Sequence, residues 1–536
     1  MSYVVHKTWQ SGRIGNFVKR WTSVRLFGNA CPASGATENA VESKTITWEE
    51  AKPFREIPGP KALPLIGNLH RFLPVIGEFY DNDKKDNSHF MKKLRQDFGD
   101  IIRVSGLPGL PDQIFVYNPD LAEKAYRNAG QWPERNGIKS LDRYRRIERK
   151  EYYDGSLGLL ITQGEEWWKF RSVVNKVLMR PQVTKLYIQA IDKVADDFVR
   201  RMRLIRKDND EMPENFSNEL NRWALESIGV ISLDTRFGCL DENLSADSEP
   251  QRLISYIHSW FEIWYQLEGQ PSFFHWMNTK KWKEFVKTMD YITEIAMKHV
   301  DAAVERIEKN PKTDEEDKSV LERLIAIDKK IACVMALDMI QAGIDTTSHA
   351  VATCLYYLAK NPEKQEILRK ELRKLAPDGK INAENNGRMP YLKACTKESA
   401  RMSPIAYANA RVMPTDIVIG GYQVPKKTPV ILCHIEMTTD PEIFPEPDKF
   451  MPERWLRSSP DFADAHKFAA LPFGHGARFC IGSKFAEMEM ESLITKIISN
   501  FEVSWHHEDM KFLTKILRTP TSPLRFTMTD IKAESL

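Results

Sequence analysis

The sequence has no apolar run of the ~20 residues that a membrane-spanning helix requires, so a transmembrane anchor is not expected in this 536-residue chain. It also carries little net charge, only +3 at pH 7, and no basic tract interleaved with aromatic residues. Both absences argue against nucleic acid as a partner. The 42% hydrophobic and 28% charged residues are the composition of a globular protein with a large core.

Cysteine is scarce and irregularly placed. The chain has seven cysteines and no CxxC pair, so neither a disulfide framework nor a zinc site is expected. Six of them are interpreted as small, mostly buried hydrophobic residues: Cys31, Cys239, Cys333, Cys354, Cys395 and Cys433. Cys480 differs because glycines and an arginine surround it.

Acidic residues are absent from positions 1–37, which hold five basic residues and several Ser and Thr. Ile14, Phe17, Trp21 and Val24 recur there at helical spacing. This pattern predicts a mitochondrial transit peptide, with a disordered basic tail or a surface-lying amphipathic helix as alternatives. We expect a linker at 38–56 and one large domain over 57–536.

The rest of the chain lacks internal repeats and reads as mainly α with a smaller β portion. A helix is predicted to end at Phe98, followed by strands at 101–104 and 113–117. Helical spacing then dominates to about residue 386, with the longest helix over 325–360. Strands are predicted again at 417–425 and 429–435, and a last helix follows Cys480.

The stretch around Cys480, "LPFGHGARFCIGSKFAEMEM", places a thiol at the start of that last helix. Backbone N–H groups and the helix dipole there favour a negative sulfur. A single such cysteine can hold a metal that brings its other ligands along, as iron in a porphyrin does. The glycines, Gly482 among them, let a flat ligand lie against the chain, and Arg478 could pair with a propionate. The alternative is a glycine-rich turn around a buried free cysteine.

The central helix contains "AGIDTT" at 342–347. Gly343 costs about 1 kcal/mol of helix stability relative to alanine, and Asp345 and Thr346 put polar groups in an apolar neighbourhood. These residues suit a helix that loosens locally and presents an acid and a hydroxyl to a bound molecule. Alternatively, the threonines bond back to the helix and the aspartate faces solvent.

Two further motifs are ambiguous on their own. In "KESAR", Glu398 and Arg401 lie one helical turn apart, as in a common surface ion pair. In "WWKFR", Trp167 and Arg171 share a helical face, and both could be ordinary packing or surface residues. The same holds for Arg411 in "NARV".

With these motifs in this order, the sequence resembles the cytochrome P450 family of haem-thiolate monooxygenases from about Phe54 to the C-terminus. Phe473, Gly474, Gly476, Arg478, Cys480 and Gly482 match its haem-binding motif. The resemblance implies that fold, haem b as cofactor and Cys480 as the iron ligand. It further implies that Asp345 and Thr346 deliver protons for oxygen activation, and that Glu398, Arg401 and Arg454 form a buried structural triad. Trp167, Arg171 and Arg411 would contact the haem propionates.

Other features resemble the mitochondrial branch of the family. Lys393 and Lys397 share a helix face where like charges repel mildly, and in that branch such lysines dock an acidic [2Fe–2S] ferredoxin. This small protein receives its electrons from an NADPH-dependent reductase. After "CIG" the branch usually has two basic residues; Lys484 keeps one, whereas Ser483 departs from the pattern. The implied location is the matrix side of the inner mitochondrial membrane.

"WALESIG" and "DTRFGCL" resemble arthropod mitochondrial members, which include ecdysteroid hydroxylases and xenobiotic or cuticle-related oxidases. The implied substrate is a lipophilic small molecule. Residues 255–285, rich in Trp and Phe with lysines nearby, either cap the substrate channel at the membrane surface or form plain helix core. The expected pocket segments are 137–162, 255–285, Met335–Gly343, the residues after Pro404 and 519–523. Two competing functions are a haem-thiolate isomerase or dehydratase and a non-catalytic haem sensor or carrier.

Overall fold

Helices form most of the structure, as the sequence predicts. The computed structural model describes residues 46–531 except 65, 74–76, 82–85, 108–109, 136, 243, 270–273, 275 and 313. The predicted transit peptide at 1–37 lies outside the described residues. From Ile46 onward the described residues form one compact unit.

Sixteen α-helices lie within the described residues: α1 Asn87–Phe98, α2 Pro119–Arg127, α3 Lys139–Arg143, α4 Lys150–Tyr153, α5 Gly164–Leu178, α6 Pro181–Lys185, α7 Ile188–Ile205, α8 Phe216–Leu233, α9 Glu249–Glu268, α10 Lys280–Lys309, α11 Val320–Ile327, α12 Lys329–Lys360, α13 Pro362–Leu375, α14 Pro390–Met402, α15 His434–Thr438 and α16 Ser483–Asn500. The ten strands described are β1 Ile101–Val104, β2 Gln113–Val116, β3 Asn409–Val412, β4 Ile417–Ile419, β5 Tyr422–Val424, β6 Pro429–Leu432, β7 Phe501–Ser504, β8 Phe512–Thr514, β9 Arg518–Pro520 and β10 Thr527–Asp530.

Helix α12 is the central element of the helical core. It packs against α8, α10, α11, α14 and α16, and at 1.5 Å per residue its 32 residues span about 48 Å. The predicted start at Ile325 is wrong: α11 ends at Ile327, and extended Asp328 separates the two helices. The Asp328 carboxylate accepts from the N–H groups of Lys330 and Ile331, a cap that a helical periodicity alone does not reveal.

The largest sheet has four strands in the order β1-β2-β6-β3, with β2 and β6 parallel and the other pairs antiparallel. The predicted strand at 417–425 is in fact the hairpin β4–β5, which turns at Gly420 and Gly421, both at positive φ. The predicted strand at 429–435 ends at Leu432, and α15 begins at His434. The pairs β7–β10 and β8–β9 follow the last helix and were not predicted.

The described part of the predicted linker, from residue 46 to residue 56, contacts the β4–β5 hairpin. The Lys52 N–H donates to the carbonyl of Gly421, and the Lys52 carbonyl accepts from the N–H of Gln423. Ala51 is buried. Within the described residues, no helix combines the length and the apolarity that crossing a bilayer would need.

Candidate active site

Cys480 occupies a loop whose backbone is set by glycine. Gly474 and Gly476 both have positive φ, a conformation that other residues rarely adopt. The Cys480 N–H donates to the Phe473 carbonyl at 3.0 Å, which closes the loop just before α16. Among the six described cysteines, Cys480 alone is exposed. A Cβ on Gly482 would meet no protein atom within 4 Å, so the side of the loop next to the thiol is open to a flat group.

The electrostatics of the thiol combine two opposing effects. Protein surrounds the accessible sulfur on most sides, and this burial raises the pKa of Cys480. Backbone N–H groups of Gly482 and Ser483 and the nearby cations Arg171 and Arg135 act in the opposite direction. They favour the thiolate, which is the form that binds a metal.

Three of the predicted arginines converge near this loop. Arg478 donates to the carbonyls of Pro133 and Thr162 at 2.8 and 3.0 Å, and its guanidinium lies 3.9 Å from the Trp167 ring centre. Arg171 donates to the Phe479 carbonyl at 2.6 Å. Arg411 donates to the carbonyls of Ala410 and His475. All three side chains are buried.

In the described part of the chain, these arginines form no ion pair with a carboxylate. Burial, with repulsion from Arg135, Arg411 and Arg171, lowers the pKa of Arg478 to about 8. Burial likewise lowers the pKa values of Arg171 and Arg411 to about 10. Nη1 of Arg478 and Nε of Arg171 are buried without a hydrogen-bond partner. Because buried cations of this kind need an anion, the propionates of a haem held by Cys480 fit the cluster.

The acid and the hydroxyl of the central helix have different hydrogen-bond partners. The Asp345 carboxylate is buried and lies 2.9 Å from Nε2 of His258 on α9. The Thr346 hydroxyl bonds back to the Ala342 carbonyl at 2.7 Å. The alternative interpretation of this motif is therefore half right. Thr346 bonds back to the helix as it predicts, but Asp345 is buried and does not face solvent.

The predicted loosening of this helix at Gly343 is wrong, because α12 is continuous through it. A Cβ at Gly343 would lie 3.2 Å from the Ile228 side chain on α8. Gly343 therefore permits the close approach of α8 to α12. The apolar spacing of a single helix does not show which neighbour approaches it.

Glu398, Arg401 and Arg454 meet in the interior, as the family resemblance implies. Arg401 donates twice to the Glu398 carboxylate at 2.9 Å, and Arg454 donates to it at 3.2 Å. The indole N–H of Trp455 donates to the same carboxylate at 2.9 Å. Arg401 also donates to the carbonyls of Thr438 and Pro447, so the cluster ties α14 to the segments on either side of residue 450.

The three lysines of the expected docking face differ in availability. Lys393 is half-buried and its ammonium donates to the Gly387 carbonyl. Lys484 is exposed and pairs with Glu487 at 2.8 Å. Lys397 is exposed, with its ammonium 5.8 Å from the Trp455 ring centre. Lys397 is thus the cation most open to an acidic partner.

A mainly helical fold with an accessible thiol at the start of α16, a glycine-shaped loop and a buried arginine cluster defines a haem-thiolate protein. The sequence model of the family "Cytochrome P450" matches residues 58–528. The chain is 40% identical to cytochrome P450 CYP12A2 of Musca domestica over 513 residues, which cover 92% of this chain and 94% of that relative. It belongs to the cytochrome P450 family, whose members are haem-binding monooxygenases.

Several of its relatives are named as mitochondrial. Probable cytochrome P450 12a5, mitochondrial, of Drosophila melanogaster is 39% identical over 501 residues, or 90% of this chain and 92% of the relative. Probable cytochrome P450 301a1, mitochondrial, of the same organism is 36% identical over 511 residues, or 94% and 92%.

Two site residues were not identified from the sequence. Arg135 lies close enough to Cys480 and Asp338 to interact with both electrostatically, and "PER" at 133–135 carried no motif by itself. His258 lies on α9, which reaches Asp345 on α12 only through the tertiary fold. Nothing in the local sequence distinguishes His258 either.

The arginine cluster makes a prediction about haem affinity. Arg478→Gln and Arg171→Gln should each weaken haem binding by about 10- to 100-fold, because a hydrogen bond to a charged group contributes about 1.5–3 kcal/mol. Haem titration of the apoprotein, followed by absorbance, measures this change. Arg180→Gln, which alters an exposed arginine two residues after α5, should leave haem affinity unchanged. Equal affinities in all the variants would remove these arginines from the haem site.

Proposed function

We propose that this protein is a mitochondrial monooxygenase that inserts one oxygen atom of O2 into a lipophilic small molecule. Bound haem supplies the oxygen-activating chemistry, with Cys480 as the ligand that donates electron density to the iron. Arg478, Arg171, Arg411 and Trp167 hold and orient the haem by its propionates, and Phe473 and Gly482 shape the thiol side. The accessible thiol beside buried arginines that form no carboxylate ion pair in the described residues is the observation that carries this proposal.

Asp345 and Thr346 support an oxygen-inserting enzyme over the two competing functions. A haem-thiolate isomerase or dehydratase needs no external protons or electrons, and a haem carrier needs neither. Asp345 keeps a proton-exchanging carboxyl beside His258 in the interior. Thr346 has an accessible hydroxyl one residue along the same helix. Asp345 takes up a proton, and Thr346 passes it on toward the haem side.

Thr346→Ala should keep haem while lowering product formed per NADPH several-fold and diverting electrons to hydrogen peroxide. The hydroxyl that holds the proton at the site would be missing. Product, NADPH and peroxide measured in one reaction give the coupling ratio. Thr353→Ala is the matched control, since Thr353 makes the same back-bond, to the His349 carbonyl, two turns further along α12. A Thr346→Ala enzyme that is coupled as tightly as the control would remove Thr346 from proton delivery.

The electron donor we propose is an acidic [2Fe–2S] ferredoxin, reduced by an NADPH-dependent reductase on the matrix side of the inner membrane. The relatives' names support the mitochondrial location, together with the basic N-terminal pattern at 1–37. Lys397 is the main docking cation, and Lys393 and Lys484 contribute less because their ammonium groups already have partners.

Exposed Trp276 and Met277 lie beside Lys280, Lys281 and Lys283, a combination suited to peripheral contact with a membrane surface.

Lys397→Glu should raise the ferredoxin concentration for half-maximal turnover on the order of 5- to 10-fold at low salt, and by less at high salt. Reversing an exposed charge removes an attraction of up to about 1 kcal/mol and adds a repulsion of similar size. Steady-state turnover against ferredoxin concentration measures it. Lys193→Glu, an exposed lysine on α7, is the control and should behave like the parent protein. An unchanged dependence in Lys397→Glu would contradict this docking face.

The proposed substrate class is supported by the apolar N-terminal half of α12, where Val334, Met335 and Met339 are buried. The segments at 137–162, at 255–285, after Pro404 and at 519–523 are proposed to complete the pocket. Purified protein, ferredoxin and reductase incubated with a panel of lipophilic metabolites and xenobiotics test the proposal. An oxygen-18 label from O2 should appear in a product when NADPH is present. Isomerised or dehydrated products that form without NADPH, with no labelled product in its presence, would favour the competing enzyme class.

A further inference from the structure

Asp345 has a titratable partner from outside the central helix. His258 lies on α9, and its Nε2 is 2.9 Å from Oδ1 of Asp345. Asp345 is buried, whereas 44% of the His258 side-chain surface is accessible. The pair therefore joins a buried acid to a ring that water can reach.

The same nitrogen has a second partner. Nε2 of His258 lies 3.0 Å from the amide nitrogen of Asn221 on α8. Asn221 in turn accepts from the Ser348 hydroxyl at 2.6 Å. A ring nitrogen that carries a proton can donate to Asp345, and one that has lost it can accept from the Asn221 amide. Both protonation states of Nε2 thus have a partner at the same place.

Solvent approaches this pair from the protein exterior. A surface depression of about 610 Å³ lies between α8 and α9 and is lined by Arg222, Gln251 and Ser255, among others. Arg222 directly follows Asn221 in the chain, and Ser255 lies one helical turn before His258. His258 does not line the depression itself, but the exposed part of its ring contacts water while Nε2 contacts Asp345.

We propose that His258 supplies protons from the surrounding solvent to Asp345, a role that rests on the proposed function of Asp345 and Thr346. In this step the Nε2–H bond of the imidazolium breaks and an Oδ1–H bond of Asp345 forms. The neutral ring keeps its proton on Nδ1 and accepts from Asn221 at Nε2. A hydronium ion of the solvent then restores the proton on Nε2 and leaves water. His258 is a positioning residue, because it acts on the reaction only through Asp345.

The surrounding charges leave Asp345 as the main influence on the ring. Burial alone would lower the pKa of His258, but the hydrogen bond and charge of Asp345 raise it overall. Burial would raise the pKa of Asp345, and His258 lowers it overall. His349 of α12, whose pKa burial lowers, also acts electrostatically on the pair. The charged groups of the neighbouring helices are paired among themselves, Arg222 with Glu219 on α8 and His299 of α10 with Glu249 of α9.

The first test is a pH profile of coupling. In the parent protein, product per NADPH should fall as pH rises through the His258 pKa, which lies above the ordinary value near 6.5. His258→Gln should show several-fold lower coupling with no such dependence, since glutamine donates to Asp345 but does not titrate. His506→Gln, an exposed histidine elsewhere, should keep the parent profile. A parent-like profile in His258→Gln would overturn the proposal.

The second test observes the His258 ring directly and needs no substitution of His258. The His258 ring, followed by NMR of the haem-bound protein with carbon-13-labelled histidine, should titrate above the ordinary value and coincide with the midpoint of coupling. In Asp345→Asn the midpoint of the His258 titration should move to lower pH, because the carboxylate that raises the pKa of His258 is gone. If Asp345→Asn itself leaves coupling intact, the proposed role of Asp345 fails. If it uncouples the enzyme but the His258 midpoint and the coupling midpoint differ by more than one pH unit, only the role of His258 fails.

Discussion

Cys480→Ala is expected to reduce NADPH- and O2-dependent turnover to background and to remove the thiolate-type absorption of the haem. Alanine has no lone pair to offer the iron, and the other cysteines of the described residues are all buried. The arginines that would hold the propionates are untouched. The variant should therefore retain some haem, bound weakly and with a different axial ligand. Absorbance spectra and turnover of the purified protein measure both effects.

The matched control is Cys354→Ala, which removes a buried thiol of α12 far along the helix from Asp345. Cys354→Ala should lower the free energy of unfolding by about 1 kcal/mol, as an ordinary core substitution does. The haem spectrum should be unchanged. A Cys480→Ala protein that keeps the spectrum and turnover of the control would show that another residue ligates the iron.

The second large effect concerns the interior rather than the haem. Glu398→Ala is expected to lower the free energy of unfolding by about 3–5 kcal/mol, because it leaves Arg401 and Arg454 buried without their carboxylate. The indole N–H of Trp455 would lose its acceptor as well. Denaturant unfolding followed by circular dichroism measures the change, and haem content after purification should fall with it.

Glu487→Ala provides the comparison for a surface ion pair, since Glu487 pairs with exposed Lys484. Its loss should change the free energy of unfolding by no more than about 1 kcal/mol. The loss of unfolding free energy in Glu398→Gln should lie between those of Glu398→Ala and Glu487→Ala. The amide oxygen can still accept from Arg401, but the negative charge is gone. A Glu398→Ala protein as stable as Glu487→Ala would contradict a structural role for the triad.

The fold class and the motif-bearing residues could be predicted from sequence because each depends on local pattern. The glycine spacing around Cys480 requires positive φ at Gly474 and Gly476, and helical periodicity placed α12 to within four residues of its start. Errors arose where side chains decide the backbone. The Asp328 cap split one predicted helix into two, and two consecutive glycines turned one predicted strand into a hairpin.

Site residues that depend on tertiary approach could not be predicted. Asp345 was identified as an acid, yet its partner His258 comes from a helix that lies almost ninety positions earlier. Gly343 was interpreted as a point of loosening, whereas the approach of Ile228 explains it. The lysines illustrate the same limit, because only the fold shows that the Lys393 ammonium is committed to a carbonyl and that of Lys397 is not.

The central claim is that the Cys480 thiolate is the axial ligand of a bound haem. The measurement that tests it most directly is the absorption spectrum of the dithionite-reduced, CO-bound protein. Thiolate ligation predicts the strongly red-shifted Soret band, lost in Cys480→Ser. A Soret band at the position given by histidine-ligated haem, in the unaltered and properly folded protein, would contradict the account.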